Sequence, residues 1–310
     1  MEPIIEPIGD IVELGEGPIY DEESKNIYFV DIFQAAIQRY NTETKEHYTA
    51  KLASGGTVSL IVQVEGQKDR FLIGHNNNLE LITWDGKSEV IDKTEIYARL
   101  ESMKAKTRIN DGKVDPAGRI WAGTMGPNVE GTLNDFVPEQ GSLYMASRDR
   151  DVSKQLAKIG ISNGLSWSLD CTKFYFIDSL KYKVDSYDYN HDTGELSNEN
   201  TIFDFKTNNI EGLPDGMTMD FEGKLWVACY GGGQILRIDP DNGKLLRTIK
   251  LPALEITSAC FGGPNYDQLY VTSARKLVTP DQSKKYPYAG SLFKITNLGV
   301  DGVPSFKIKL

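Results

Sequence analysis

The 310-residue chain contains only three histidines and three cysteines, and its formal charge is −10. Each scarcity removes a class of function. Cys171, Cys229 and Cys260 are odd in number and form no Cys-x-x-Cys pair, so neither a disulfide framework nor a cysteine metal site is expected. They read as reduced core residues of a cytoplasmic protein. No Gly-x-Ser-x-Gly elbow occurs, and Gly164-Leu-Ser-Trp-Ser168 does not mimic one, which argues against a serine triad. No Gly-x-Gly-x-x-Gly follows a strand, and Gly231 to Gly233 opens no helix, so a phosphate loop is absent. The acidic balance, without clustered Lys and Arg, excludes nucleic acid and acidic membranes as partners. No apolar run is long enough to span a bilayer, and no basic-then-apolar leader opens the chain. The closing Ile308-Lys-Leu310 resembles a peroxisomal Ser-Lys-Leu address only loosely. Helical patterning is also scarce, its best amphipathic stretch running only from Glu95 to Lys104.

What the sequence does have is repetition. A unit of a polar residue, a turn residue five positions on and an aromatic-centred strand recurs along it. It is clearest in Leu213 to Tyr230, where Asp215 and Asp220 precede Leu225-Trp-Val-Ala228. Glu16 and Asp21 precede Ile27-Tyr-Phe-Val30, Asn110 and Asp115 precede Ile120-Trp-Ala122, and Asn163 and Ser168 precede Phe174-Tyr-Phe-Ile177. Looser copies start at Ser59 and at Thr257. A second unit, a short strand running into a polar turn, alternates with the first. It starts near Ile37, Leu79, Leu143, Val184, Ile235 and Leu292. Neighbouring anchors from Ser59 onward lie 42 to 53 residues apart. Six repeats of short strands at that period indicate an all-β fold, a six-bladed β-propeller formed as one domain over residues 1–310. Trp121, Trp226, Tyr28, Tyr175 and Tyr270 are expected to pack between blades. Asp21, Asp115, Asp170 and Asp220 are expected to cap turns, and Asp239, Asp241 and Asn242 to form a hairpin turn.

In a propeller, the same position of each innermost strand comes to one ring around the central axis. Here that position holds Glu16, Asn110, Asn163 and Asp215, and glycine follows three of them as Gly17, Gly164 and Gly216. Glycine there permits a tight backbone and leaves the polar side chain unobstructed. Carboxylate and amide oxygens without His or Cys are hard ligands that suit Ca2+, Mg2+ or Mn2+, with Zn2+ less natural. The plainer alternative is that these groups only satisfy hydrogen bonds inside the channel. With no histidine at a repeat anchor, the chemistry this ring supports is metal-assisted hydrolysis.

The most specific stretches are Gly15-Glu-Gly-Pro18, Arg108 to Arg119, Ile161 to Ser168, Phe176-Ile-Asp-Ser179, Pro214-Asp-Gly-Met217, Gly223 to Tyr230 and Cys260-Phe-Gly-Gly263. Through them the whole chain resembles the family of senescence marker protein (regucalcin), gluconolactonase and firefly luciferin-regenerating enzyme, nearest to its animal regucalcin members. The resemblance implies one divalent cation, Ca2+ by preference over Zn2+, Mn2+ or Mg2+, held by Glu16, Asn163 and Asp215. It implies that Arg108 and Asn110 hold hydroxyls of a sugar lactone and that Asp215 doubles as the base. After Gly123-Thr-Met125, relatives often carry an acidic substrate contact. Asn128 stands at that place here, and Glu130 lies two residues on. The loop from Gly126 to Gln140 is expected to act as a lid. The expected activity is cation-dependent opening of aldonolactones such as glucono-δ-lactone, by a monomer in the cytoplasm. The alternatives are luciferin regeneration or phosphotriester cleavage at the same metal, a calcium-binding regulator without turnover, and a partner-binding scaffold.

Overall fold

The computed structural model describes residues 2–102, 106–130, 132, 135–276 and 278–310. Its strands form six sheets of an all-β six-bladed propeller, as the repeats indicate. Every strand pair within a blade is antiparallel except one added at the rim. The innermost strands are Gly15–Asp21, Val58–Val64, Arg108–Val114, Ser162–Trp167, Leu213–Met219 and Glu255–Gly262, in blades 1 to 6. All six anchors of the first repeated unit lie on them. The aromatic-centred runs form the second strands and the units starting near Ile37 to Leu292 form the third. Blade 6 is completed from the other end of the chain. Ile4–Ile8 pairs with Leu292–Thr296, so the N-terminal stretch closes the circle. Pro7 is tolerated because this is an edge strand, where a missing donor costs no ladder bond on the open side.

Six apolar clusters hold the wheel together, one at each blade interface. Tyr28 packs between blades 1 and 2, Trp121 between 3 and 4, Tyr175 between 4 and 5, Trp226 between 5 and 6, and Tyr270 between 6 and 1. Burying such rings removes 150 to 250 Å2 each from water, on the order of several kcal/mol per ring. The wheel is therefore held by sheet-face packing, and its inner edges remain free to present polar groups.

Three details differ from the sequence reading. Glu95–Arg99 is the outer strand of blade 2, not a helix; Ile96 pairs with Glu80 and the bulged Tyr97 packs into the apolar cluster, while 103–105 lie outside the described residues. A short helix instead covers Pro280–Lys285, started by a capping box in which Thr279 accepts from the Gln282 amide. Cys229 and Cys260 are buried, but Cys171 is a partly exposed turn residue with a positive φ of 58°, so it is no core residue. The three thiols are unpaired. Asp239, Asp241 and Asn242 do form a hairpin turn, tied by Lys224 Nζ at 2.7 Å from Asp239. Among the described residues, no helix is long and apolar enough to cross a membrane.

Candidate active site

The ring is produced by a defect repeated in every blade. Each innermost strand slips against its neighbour at its anchor: Glu16/Ile19, Val58/Leu60, Ile109/Asp111, Ser162/Leu165, Pro214/Met217 and Ile256/Ser258. In blade 5, Pro214 to Met217 spans three steps where the neighbour takes two, from Cys229 to Val227. This is a β-bulge, which kinks the strand and re-aims a side chain. Repeated six times, it turns one polar residue per blade toward the axis. The glycines after the anchors act in two ways. Gly17 has φ +53°, a conformation glycine adopts freely. Gly164 and Gly216 have ordinary φ and are needed for close approach. A Cβ at Gly164 would lie 2.8 Å from the Asp215 carbonyl oxygen, and one at Gly216 would lie 2.2 Å from Ser258 Oγ. Small residues there let neighbouring blades draw in around the axis.

Glu16, Asn110, Asn163 and Asp215 are all buried. Arg108 donates from Nη1 to Asn110 Oδ1 at 2.9 Å, and Asn110 Nδ2 donates to the Ser162 carbonyl at 2.9 Å and to Asn163 Oδ1 at 3.2 Å. Asn163 Nδ2 donates to Ser179 Oγ at 2.8 Å, and that hydroxyl donates to the Pro214 carbonyl at 2.6 Å. The chain of bonds fixes the Asn163 amide so that its oxygen, not its nitrogen, faces the ring. Asp215 Oδ1 is buried without a hydrogen-bond partner. Burial, then the neighbouring charges of Glu16 and Asp111, pushes the Asp215 carboxyl well above its usual range. Glu16 is raised in the same way, by burial first and the Asp111 charge second. Burial pulls Arg108 down to about 10, against the opposing pull of Glu16. Two buried carboxylates that resist ionising, one with an orphaned oxygen, form a site built to receive positive charge.

Several site residues are invisible to a reading that takes one residue per repeat. Asp111 follows Asn110 and is buried beside the ring, its carboxyl raised by burial to about 6. Lys113 Nζ donates to the Met217 carbonyl at 2.8 Å, and burial lowers its pKa. Ser179 stands in the quoted Phe176-Ile-Asp-Ser179 stretch. Tyr230 and Glu255 lie toward blades 5 and 6, where burial raises Glu255 to about 7. Phe33 sits half exposed with the Arg108 guanidinium 5.8 Å from its ring centre and Lys276 Nζ 3.2 Å from it. Asn128 and Glu130 are exposed on the loop after Ile120–Met125, whereas the ring residues are buried. That loop is the expected lid, and 131, 133 and 134 within it lie outside the described residues.

The model of the SMP-30/gluconolactonase/LRE-like region matches residues 14–275. The chain belongs to this family. Within it, regucalcin of Xenopus laevis is 40% identical over 297 residues, covering 96% of this chain and 95% of the relative. A solved luciferin-regenerating enzyme superposes with a TM-score of 0.93 at 37% identity, each chain covered in full. A solved regucalcin of Agrobacterium tumefaciens, described as a calcium-binding protein, gives 0.86 at 27% identity over 97% of this chain and 95% of that one.

The Agrobacterium relative is described as calcium-binding, and the donor chemistry of the ring here would suit a cation. Among the described residues no three His, Cys, Asp or Glu side chains cluster to bind a metal. The ring instead offers two carboxylates with amide oxygens, the orphaned Asp215 Oδ1 among them. Oxygen-only donors of that kind suit a hard divalent ion.

Proposed function

We propose that the protein is a divalent-cation-dependent hydrolase that opens sugar lactones of the glucono-δ-lactone type to the corresponding acids. The observation that supports this reading best is the buried, orphaned Asp215 carboxylate beside Glu16, facing the Arg108–Asn110–Asn163 chain of hydrogen bonds. Glu16, Asn163 and Asp215 would hold the ion, Ca2+ being favoured. Once bound, it would polarise the ester carbonyl and make a bound water more acidic. Arg108 and Asn110 would hold the sugar hydroxyls: the guanidinium has donors left beyond Asn110, and the amide orientation is fixed at both ends. Asp215 would take the proton from the attacking water and return it to the ring oxygen as the acyl–oxygen bond breaks.

Chelator-treated protein is expected to lose lactone opening and to regain it on adding Ca2+ or another divalent ion. Asp215→Asn should lower kcat/KM at least a hundredfold, within the range of a missing general base. Full activity in that variant would overturn the mechanism. A second reading, luciferin regeneration, is favoured by the 37% identical luciferin-regenerating enzyme and by the half-exposed Phe33 beside Arg108. Turnover of lactones and of luciferin precursors, measured side by side at fixed cation, separates the two.

A further inference from the structure

Blades 3 and 6 share one local register. In blade 3, Arg108 pairs with Met125, Ile109 with Thr124, and Asp111 with Gly123, with Asn110 as the extra residue. In blade 6, Glu255 pairs with Ala274, Ile256 with Ser273, and Ser258 with Thr272, with Thr257 as the extra residue. Glu255 therefore occupies the step that Arg108 occupies, two residues before the ring. Three blades separate them in a wheel of six, so they stand on opposite sides of the axis.

Glu255 is only 6% exposed, and its Oε2 is buried without a hydrogen-bond partner. The Tyr230 phenol and the Glu255 carboxylate interact electrostatically. Glu255, Asp215 and Glu16 all lie within electrostatic range of that phenol. A buried acceptor left empty costs about 1 to 3 kcal/mol, more when charged, and in native proteins such atoms usually await a partner. Neither Thr257 nor Ile256 offers one: Thr257 Oγ1 donates to the Gly15 carbonyl, and Ile256 is fully buried among apolar side chains.

We propose that Glu255 and Tyr230 form a second substrate-holding subsite across the channel from Arg108 and Asn110, where Glu255 accepts a hydrogen bond from a hydroxyl of a polyhydroxylated substrate. The proposal rests on the lactone-hydrolase reading and names what sets its preference. Hydroxyls far from the reacting carbonyl are gripped by an acceptor on one wall and by donors on the other. A lactone without hydroxyls offers Glu255 nothing.

The test compares glucono-δ-lactone with δ-valerolactone, which has the same ring and no hydroxyls, at saturating Ca2+. Glu255→Ala should lower kcat/KM for glucono-δ-lactone relative to δ-valerolactone roughly 10- to 100-fold, mainly through KM, the scale of a hydrogen bond to a charged group. Tyr230→Phe should move the same ratio in the same direction by a smaller factor, and it serves if Glu255→Ala fails to melt cooperatively. An unchanged ratio in the folded variants overturns the subsite. Asp215→Asn, by contrast, should depress both substrates together. Wild-type protein that opens neither lactone overturns the hydrolase reading alone. Calorimetric titration with gluconate then tests the subsite directly: weaker binding to Glu255→Ala supports it, and equal binding overturns it.

Discussion

Ser179 sets the orientation of a group it does not share a strand with. By accepting from Asn163 Nδ2 and donating to the Pro214 carbonyl, it ties a blade 4 amide to the strand that carries Asp215. Outer hydrogen bonds of this kind are commonly worth 10- to 100-fold in metal affinity. Ser179→Ala is therefore expected to weaken Ca2+ binding about tenfold while melting close to the wild type, as read by calorimetric titration and circular dichroism. A second residue-scale pair lies outside the ring. His75 Nδ1 lies 3.1 Å from Glu80 Oε2, close enough for an ion pair when the ring is protonated, and its Nε2 is 2.8 Å from the Gly55 carbonyl. The Glu80 bond raises His75 above 6.5, and although burial opposes it, the hydrogen bonds from His75 and Thr94 hold Glu80 below 4.5. The His75 contribution is complete below its unfolded value and is lost as pH rises through the higher folded one. The Glu80 contribution is complete above its unfolded value and is lost as pH falls through the lower folded one. The pair thus stabilises fully between about pH 4.5 and 6.5. Glu80→Gln should remove about 1 kcal/mol there, and its melting temperature should approach the wild type as pH rises through the raised His75 value. At this scale the sequence revealed the anchors but not their neighbours. Asp111 was hidden because strict alternation sends adjacent side chains to opposite faces, and only the bulge at Asn110 lets both lie near the axis. Glu255 was hidden because its repeat, anchored at Thr257, is one of the two looser copies. Placing Arg108 and Glu255 at the same step was the available signal.

The elements were more legible than the residues, because each blade writes the same strand and turn pattern. Asp115 and Asp220 show how the turns are built. Asp220 Oδ1 accepts from the Glu222 and Lys224 amides, while its Oδ2 accepts from Trp226 Nε1 at 2.9 Å and Arg237 Nε at 2.7 Å. Asp115 repeats this with the Ala117 and Arg119 amides, Trp121 Nε1 and Arg119 Nε. Beyond capping a turn, each aspartate ties the turn to the buried indole six residues on. In blade 4 a hydroxyl replaces the carboxylate, and Ser168 Oγ takes the Thr172 and Lys173 amides. No tryptophan follows it there: Phe174 stands at the indole's place and asks for no acceptor. Asp220→Ala would strand the buried Trp226 indole donor and take from the part-exposed Arg237 guanidinium one of its two carboxylates, leaving Glu222. It should cost about 3 kcal/mol, measurable as a lower urea midpoint with unchanged slope. The strand at Glu95–Arg99 was misread because five residues of mixed polarity satisfy either period when one face is half covered.

At the scale of the whole molecule, the decisive contact is the one that sequence repeats cannot reveal. A propeller must join its last blade to its first, and the strand that does so need not resemble the others. Ile4–Ile8 makes five register pairs with Leu292–Thr296, yet most of its side chains are exposed, Ile4 by 52%. Only Ile5 and Ile8 reach the apolar clusters, and Lys294 adds an ion pair with Glu6. Closure therefore depends on the backbone ladder more than on apolar burial, which is why an acidic, proline-broken stretch can supply it. Its removal would bare the Leu292–Thr296 edge, where unpaired donors and acceptors invite other chains. A variant lacking residues 2–8 is expected to lose about 3 kcal/mol once the ordering cost of the strand is set against its ladder bonds. For a chain of this size that is a fall of roughly 5 °C in melting temperature. Because the Glu16–Asn163–Asp215 ring belongs to blades 1, 4 and 5, Ca2+ binding by the folded fraction should survive below the transition. Size-exclusion chromatography should show concentration-dependent association through the bared edge. A deletion variant that melts with the wild type and stays monodisperse would show that the wheel closes through its blade-to-blade packing alone.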